Sequence, residues 1–145
     1  MIRVLVVDDH AILRDGIRSI LEGQDDIIVI GEASDGAEAF EYVKKLLPDI
    51  VLMDISMPKI NGLEATRLIK EHFPNVKVLI LTQHDNREYI TPALQAGAAG
   101  YVLKRSGRRE MLNALRQVYE QGAFLTGKVT QEVLQEYSHN GNNND

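Results

Sequence analysis

The stretch "DIVLMDISMPKING", Asp49 to Gly62, decides the architecture. Ile50, Val51, Leu52 and Met53 form an apolar run without a charge, which reads as a strand covered on both faces. The run ends in a carboxylate, Asp54, and a Met57-Pro58 turn follows. A core strand that delivers an acid to its tip implies that the tip has work to do. What that work is depends on what the other strands bring beside it.

Working outward, four more apolar runs rich in Val and Ile punctuate the chain: 2–7, 27–33, 76–82 and 100–103. Helical spacing lies between them. Leu13, Ile17 and Ile20 recur at i, i+4, i+7, and so do Met111, Leu115 and Val118. Pro48 and Pro74 stand where the second and third helical segments should stop. Alternating strands and helices give an α/β domain with a parallel sheet and right-handed crossovers. After residue 122 the pattern changes. Val129, Val133 and Tyr137 predict one more amphipathic helix, with Thr126 as a candidate N-cap, before the polar "SHNGNNND" tail. The division expected is therefore a domain over 1–122, followed by a linker helix and frayed tail over 123–145.

The whole sequence has 145 residues, enough for one domain with a full core. A net charge of −5 argues against a free-standing nucleic-acid binder. There is no Cys, which removes disulfide and thiolate chemistry and suits a reducing compartment. No segment approaches the roughly 20 apolar residues of a membrane helix, so a cytoplasmic location is expected.

Ligands of an open parallel sheet gather beyond the carboxyl ends of its strands. The first strand ends there in Asp8 and Asp9, the third in Asp54, the fourth in Thr82 and the fifth in Lys104. The second ends near Glu32 and offers nothing obviously related. Two carboxylates about 4 Å apart repel by roughly 4 kcal/mol at an effective dielectric of 20, so three need a cation. Lys104 supplies one charge, and a hard divalent ion suits the rest. Oxygen donors without Cys or paired His favour Mg²⁺, with Mn²⁺ as the substitute. Asp54 beside Mg²⁺ and Lys104 is then a nucleophile toward a phosphoryl group. Thr82 can donate to a phosphoryl oxygen, Asp8 and Asp9 hold the metal with Asp54, and the Ser56 carbonyl is placed as a further ligand.

The motifs "VVDDH", "DISMPKING", "LT" and "AGAAGYVLK", in this order over about residues 2–121, resemble the receiver domain of two-component response regulators. The resemblance implies a flavodoxin-like, doubly wound, five-stranded sheet of order 2-1-3-4-5. It implies phosphotransfer from a histidine kinase to Asp54, with Thr82 and Tyr101 as the switch pair: Thr82 moves toward the phosphoryl group and Tyr101 turns inward. "DDH" and "KRS" are similar to the NarL/FixJ (LuxR-type) subfamily, although Arg105 stands where many receivers carry a proline after the lysine. In that subfamily a C-terminal helix-turn-helix domain, absent from this chain, binds promoters. Homodimerisation on phosphorylation is expected, and a protein of this kind is a transcriptional switch rather than an enzyme. A stand-alone receiver serving a phosphorelay is the rival. An aspartate-dependent phosphatase would want an acid at Ser56, and a flavodoxin-like cofactor binder a less acidic first loop.

Plainer readings exist for individual residues. Asp9 is expected to cap the helix beginning near Ala11 besides binding metal. Asn61 and Gly62 serve the turn into the third helix. His84, with Ser56, would flank the phosphoryl group and tune its hydrolysis; His10, His72 and His139 give no metal site. Pro92 predicts a fourth helix that starts late, near Thr91, or is distorted before it. Arg105, Arg108 and Arg109 crowd the start of the fifth helix, as a solvated cluster or a contact for acids.

Overall fold

Among the described residues, five strands and five α-helices alternate along the chain. The structure, a computed structural model, describes residues 1–55, 61–83 and 87–124, with backbone alone over 87–90. The strands are β1 (Ile2–Val7), β2 (Ile27–Ala33), β3 (Ile50–Asp54), β4 (Lys77–Thr82) and β5 (Gly100–Leu103). The helices are α1 (Ala11–Glu22), α2 (Gly36–Leu46), α3 (Gly62–His72), α4 (Arg87–Gln95) and α5 (Arg108–Gln121). All pairings are parallel and the strand order is β2-β1-β3-β4-β5, as the resemblance implied.

Alternation along each strand divides the core in two. Val4, Val6, Leu52, Leu79, Leu81 and Val102 join Leu21 of α1 and Met111, Leu115 and Val118 of α5. Leu5, Val7, Val51, Met53, Val78, Ile80 and Tyr101 face the other way, onto Ala39 and Val43 of α2, Ala65 and Ile69 of α3 and Ala93 of α4. Every residue of β3 is buried, as its uncharged run requires.

The helix boundaries reflect local chemistry. Asp35 and Asn61 cap α2 and α3 by accepting from the backbone N–H groups of Glu38 and Glu64. Helices α2 and α3 end two residues before Pro48 and Pro74. Gly62 opens α3 where a Cβ would run into the Asp54 carbonyl oxygen and lie 2.7 Å from the Ile55 Cα. Only glycine lets α3 start against the end of β3.

Two expectations are corrected. Of the two outcomes that Pro92 allows, the late start is not seen: helix α4 begins at Arg87, not near Thr91, and carries Pro92 inside. Asp9 does not cap α1; His10 occupies the N-cap position, without a side-chain cap bond. The periodic face of α1 is only partly covered, with Leu13 43% exposed and Leu21 the buried anchor.

Past α5 the chain turns at Gly122 (φ +87°) and Phe124 packs back into the core. Its N–H donates to the Ala99 carbonyl, and it bridges Gly100 in parallel. The linker helix expected after residue 123 lies beyond the described residues.

Candidate functional site

Register places the site. Val7 of β1 pairs with Met53 of β3, so Asp8 and Asp54 sit level on neighbouring strands. Asp54 pairs with Leu81, which brings Thr82 alongside, and Thr82 pairs with Leu103, which brings Lys104 alongside. The five residues singled out at the strand tips thus converge at one end of the sheet.

Asp8, Asp54 and Thr82 are buried, at 1%, 5% and 1% exposure. Lys104, in the 3-10 turn after β5, holds its Nζ 3.3 Å from Asp8 Oδ2 and 3.7 Å from Asp54 Oδ2. One ammonium thus spans the two buried carboxylates. The other Asp8 oxygen accepts the His10 backbone N–H at 2.9 Å. Asp9 is treated differently. Its Oδ1 is buried and has no hydrogen-bond partner.

That orphaned oxygen tests whether a cation belongs here. A buried carboxylate oxygen without a donor is costly, and a metal ion satisfies it. Asp8, Asp9, His10 and Asp54 each offer one donor atom, all within 4.8 Å of one another. The donors are mostly carboxylate oxygens, so a divalent ion fits the group.

His10, for which the sequence predicts no metal site, lies against the acids. Its Nδ1 lies 3.2 Å from Asp8 Oδ1 and 3.0 Å from Asp9 Oδ1, although its side chain is 63% exposed. Adjacency was the available signal, since an N-cap residue directly after two acids has its ring within their reach. Glu32 had also been dismissed. Arg14 Nε and Arg18 Nη1 of α1 approach it at 3.5 and 2.7 Å, and Arg14 Nη1 donates to the Asp8 carbonyl at 2.6 Å. Hydrogen bonding to and the charge of Glu22, and then of Glu32, raise Arg18 above its ordinary pKa. Spacing of i, i+4 on α1 was the sign that Arg14 and Arg18 act together. They tie β2 and α1 to the tip that carries Asp8 and Asp9.

Tyr101 is 1% exposed, turned into the α3 and α4 side of the core. Ser56 and His84 lie outside the described residues. Arg105, Arg108 and Arg109 are exposed around the start of α5. Ile12, 86% exposed, and Leu13 stand on α1 beside a cavity of about 210 Å³ between α1 and α5, lined by Ile17, Leu103, Lys104 and Met111 among others. No described helix is long and apolar enough to cross a membrane.

Comparison with known proteins agrees with this geometry. Residues 4–116 match the family described as the response regulator receiver domain. The transcriptional regulatory protein DegU of Brevibacillus brevis is 41% identical over 136 residues, which cover 94% of this chain and 58% of DegU. The oxygen regulatory protein NreC of Staphylococcus carnosus (strain TM300) is 40% identical over 139 residues, 95% of this chain and 64% of NreC. The chain therefore spans roughly three-fifths of these relatives. The crystal structure of a LuxR-family two-component response regulator from Aurantimonas sp. SI85-9A1 superposes with a TM-score of 0.84 at 35% identity. That match covers 94% of this chain and 97% of the other.

Proposed function

The chain belongs to the response regulator receiver domain family, and we propose that it is the phosphorylation-controlled input of a NarL/FixJ-type transcription regulator. A histidine kinase supplies the phosphoryl group and Asp54 accepts it. The Asp54 carboxylate attacks phosphorus, the P–N bond of the phosphohistidine breaks, and the leaving imidazole takes up a proton. The observation that carries the reading is the Lys104 ammonium lying within 4 Å of both Asp8 and Asp54 at the end of a buried strand.

Each residue then has a task. Lys104 neutralises the growing charge on the phosphoryl oxygens, and the Thr82 hydroxyl donates to one of them. Asp8, Asp9, Asp54 and the Ser56 carbonyl hold Mg²⁺, with Mn²⁺ able to replace it; the ion supplies charge neutralisation. Asp8 is already engaged by Lys104, which leaves Asp9 with the oxygen best suited to the ion. Ser56 and His84 govern how fast water reaches the acyl phosphate. The protein is a switch whose chemistry is limited to its own phosphorylation and dephosphorylation.

Phosphorylation biases an equilibrium between two arrangements of Thr82 and Tyr101. Residues 123–145 carry the change, as linker helix and tail, to a DNA-binding output domain, a proposal supported by the greater length of the relatives. A homodimer of the phosphorylated form through α1 and α5 would cover Ile12 and Leu13. The cytoplasm is the expected site of action.

Intact mass tests the chemistry. Incubation with Mg²⁺ and acetyl phosphate should add about 80 Da, one phosphoryl group, to the wild type and nothing to Asp54→Asn. A folded wild type that gains no mass refutes the acceptor assignment.

A further inference from the structure

We propose that Arg14 of α1, held by Glu32 of β2, is a positioning residue for the cation site: it fixes the Asp8–Asp9 peptide and so sets where Asp9 stands. The proposal rests on reading the acid cluster as the metal site of the receiver. It deepens that reading with two residues that hold neither the ion nor the phosphoryl group.

The anchoring of Asp8 is the first argument. Its N–H donates to the Ala33 carbonyl of β2 at 3.0 Å. Its Oδ1 accepts the His10 N–H at 2.9 Å, and its Oδ2 lies 3.3 Å from Lys104 Nζ. Its carbonyl accepts Arg14 Nη1 at 2.6 Å. The pairing of β1 with both neighbours ends at Val7, so a side chain supplies the donor that the sheet no longer does.

Asp9 is anchored far less. Its side chain is 27% exposed, its Oδ1 has no hydrogen-bond partner, and the His10 ring beside it is itself exposed. The peptide that joins Asp8 to Asp9 carries the carbonyl that Arg14 grips. Rotating that peptide would swing Asp9 while the Asp8 carboxylate kept its partners. Arg14 is the restraint against that rotation.

Glu32 explains why a cation can serve here. A bare guanidinium beside an acid loop would repel a divalent ion. Glu32 Oε1 lies 3.5 Å from Arg14 Nε, and Oε2 accepts from Arg18 Nη1 at 2.7 Å. The guanidinium thus reaches the Asp8 carbonyl with its charge already countered. Its planar fork sets one nitrogen on the carbonyl and turns another toward the carboxylate, an arrangement that a single ammonium does not reproduce. If Arg14 merely satisfied a buried carbonyl, its loss would lower stability and leave metal affinity alone.

The test uses the full chain as wild type, Arg14→Ala, Glu32→Gln, the double variant and Arg116→Ala. Isothermal titration calorimetry reads Mg²⁺ affinity. Phosphorylation by acetyl phosphate is followed as initial rate against Mg²⁺ concentration. Urea unfolding measures stability, and Arg116→Ala, at the far end of the sheet, controls for the loss of an ion pair. Arg14→Ala should weaken Mg²⁺ about tenfold, as expected when a ligand loses the group that orients it. The Mg²⁺ concentration for half-maximal rate should rise by the same factor. The rate at saturating Mg²⁺ should stay within about twofold, because Asp54, Thr82 and Lys104 stand on other strands. Glu32→Gln should weaken Mg²⁺ about threefold in the wild type and less than about twofold beside Arg14→Ala. Arg116→Ala should leave Mg²⁺ affinity within about twofold.

An Arg14→Ala variant that binds Mg²⁺ as the wild type does overturns the proposal and leaves the metal site standing. Tighter binding overturns it too, since Arg14 then competes with the ion. Equal effects of Glu32→Gln in both backgrounds overturn the claim that Glu32 acts through Arg14. Should Arg14→Ala fail to fold, a Glu32→Gln variant of unchanged Mg²⁺ affinity overturns the proposal. A wild type that binds no Mg²⁺ removes the metal reading itself, whatever the variants do.

Discussion

The two ends of the sheet treat charge in opposite ways. At the amino ends of the strands, charged groups are met by partners from the same chain. Arg3 N–H donates to Asp49 Oδ2 and the Asp49 N–H returns to the Arg3 carbonyl, both at 2.9 Å. The Arg3 guanidinium reaches the Leu47 and Leu46 carbonyls at 2.8 and 2.9 Å and closes the end of α2. Arg116 of α5 grips both Asp26 oxygens at 2.9 Å and Gln24 Oε1 at 2.9 Å. At the carboxyl ends, Asp8 and Asp54 share one lysine at 3.3 and 3.7 Å, and the buried Asp9 Oδ1 has no hydrogen-bond partner. The amino end is completed by its own residues. The carboxyl end is complete only with a ligand, and such local disagreement with stability is where function is expected.

The comparison breaks most severely if the scaffold under the charged end is disturbed. Gly62→Ala drives a methyl group into the Asp54 carbonyl oxygen. It should cost about 3 kcal/mol or more in urea unfolding. Gly107→Ala is the control: its φ is +89° but no atom lies within 4 Å of the added methyl, so backbone strain of about 1 kcal/mol is all it should cost. Equal losses for the two variants would show that α3 does not lean on Asp54.

A smaller effect with the opposite sign comes from the charge cluster itself. Asp9→Asn removes one of the crowded carboxylates. In the presence of a chelator it should raise stability by about 1 kcal/mol, well below the bare repulsion because the group is partly solvated. Added Mg²⁺ should raise the thermal midpoint of the wild type and shift that of the variant much less. A destabilised Asp9→Asn would mean that the carboxylates are satisfied without metal.

The smallest effect belongs to the finished end. Hydrogen bonding from Arg116 holds Asp26 below its ordinary pKa of 3.8, against a small opposing cost of burial. The group binds its proton more readily in the unfolded chain, so the pair's stabilisation is full above about pH 4 and fades as pH falls through the lowered folded value. Arg116 is 37% and Asp26 49% exposed, so solvent screens the pair; its contribution is about 0.5 kcal/mol and weakens with salt. Denaturation of Arg116→Ala and wild type at neutral pH and near pH 3 measures it. A difference that stays the same at both pH values would rule out the ion pair as its source.

Much of this could be read along the chain. The uncharged Ile50–Met53 run, the Val and Ile content of the other strands and the apolar spacing on α5 report local periodicity, and the strands appear within a residue of the expected bounds. Asp8, Asp9, Asp54, Thr82 and Lys104 were legible because a parallel sheet sends every strand's end to the same edge. Pro92 misled because its cost depends on position within the helix. The helix already runs from Arg87, five residues ahead of the proline.

What the sequence determined by itself is therefore the set of elements and the residues standing at their tips. These follow from period and from the direction of parallel strands, both local properties. Tertiary structure alone decided how those residues are partnered. It assigned Lys104 to Asp8 and Asp54, brought Arg14 and Arg18 to Glu32, laid Phe124 against Gly100, and turned His10 onto two carboxylates. Lys104 lies 96 positions from Asp8. No local preference reports which groups will share one small volume, because hydrogen bonding and Coulomb attraction act through space, on distances that exist only once the sheet has closed its register.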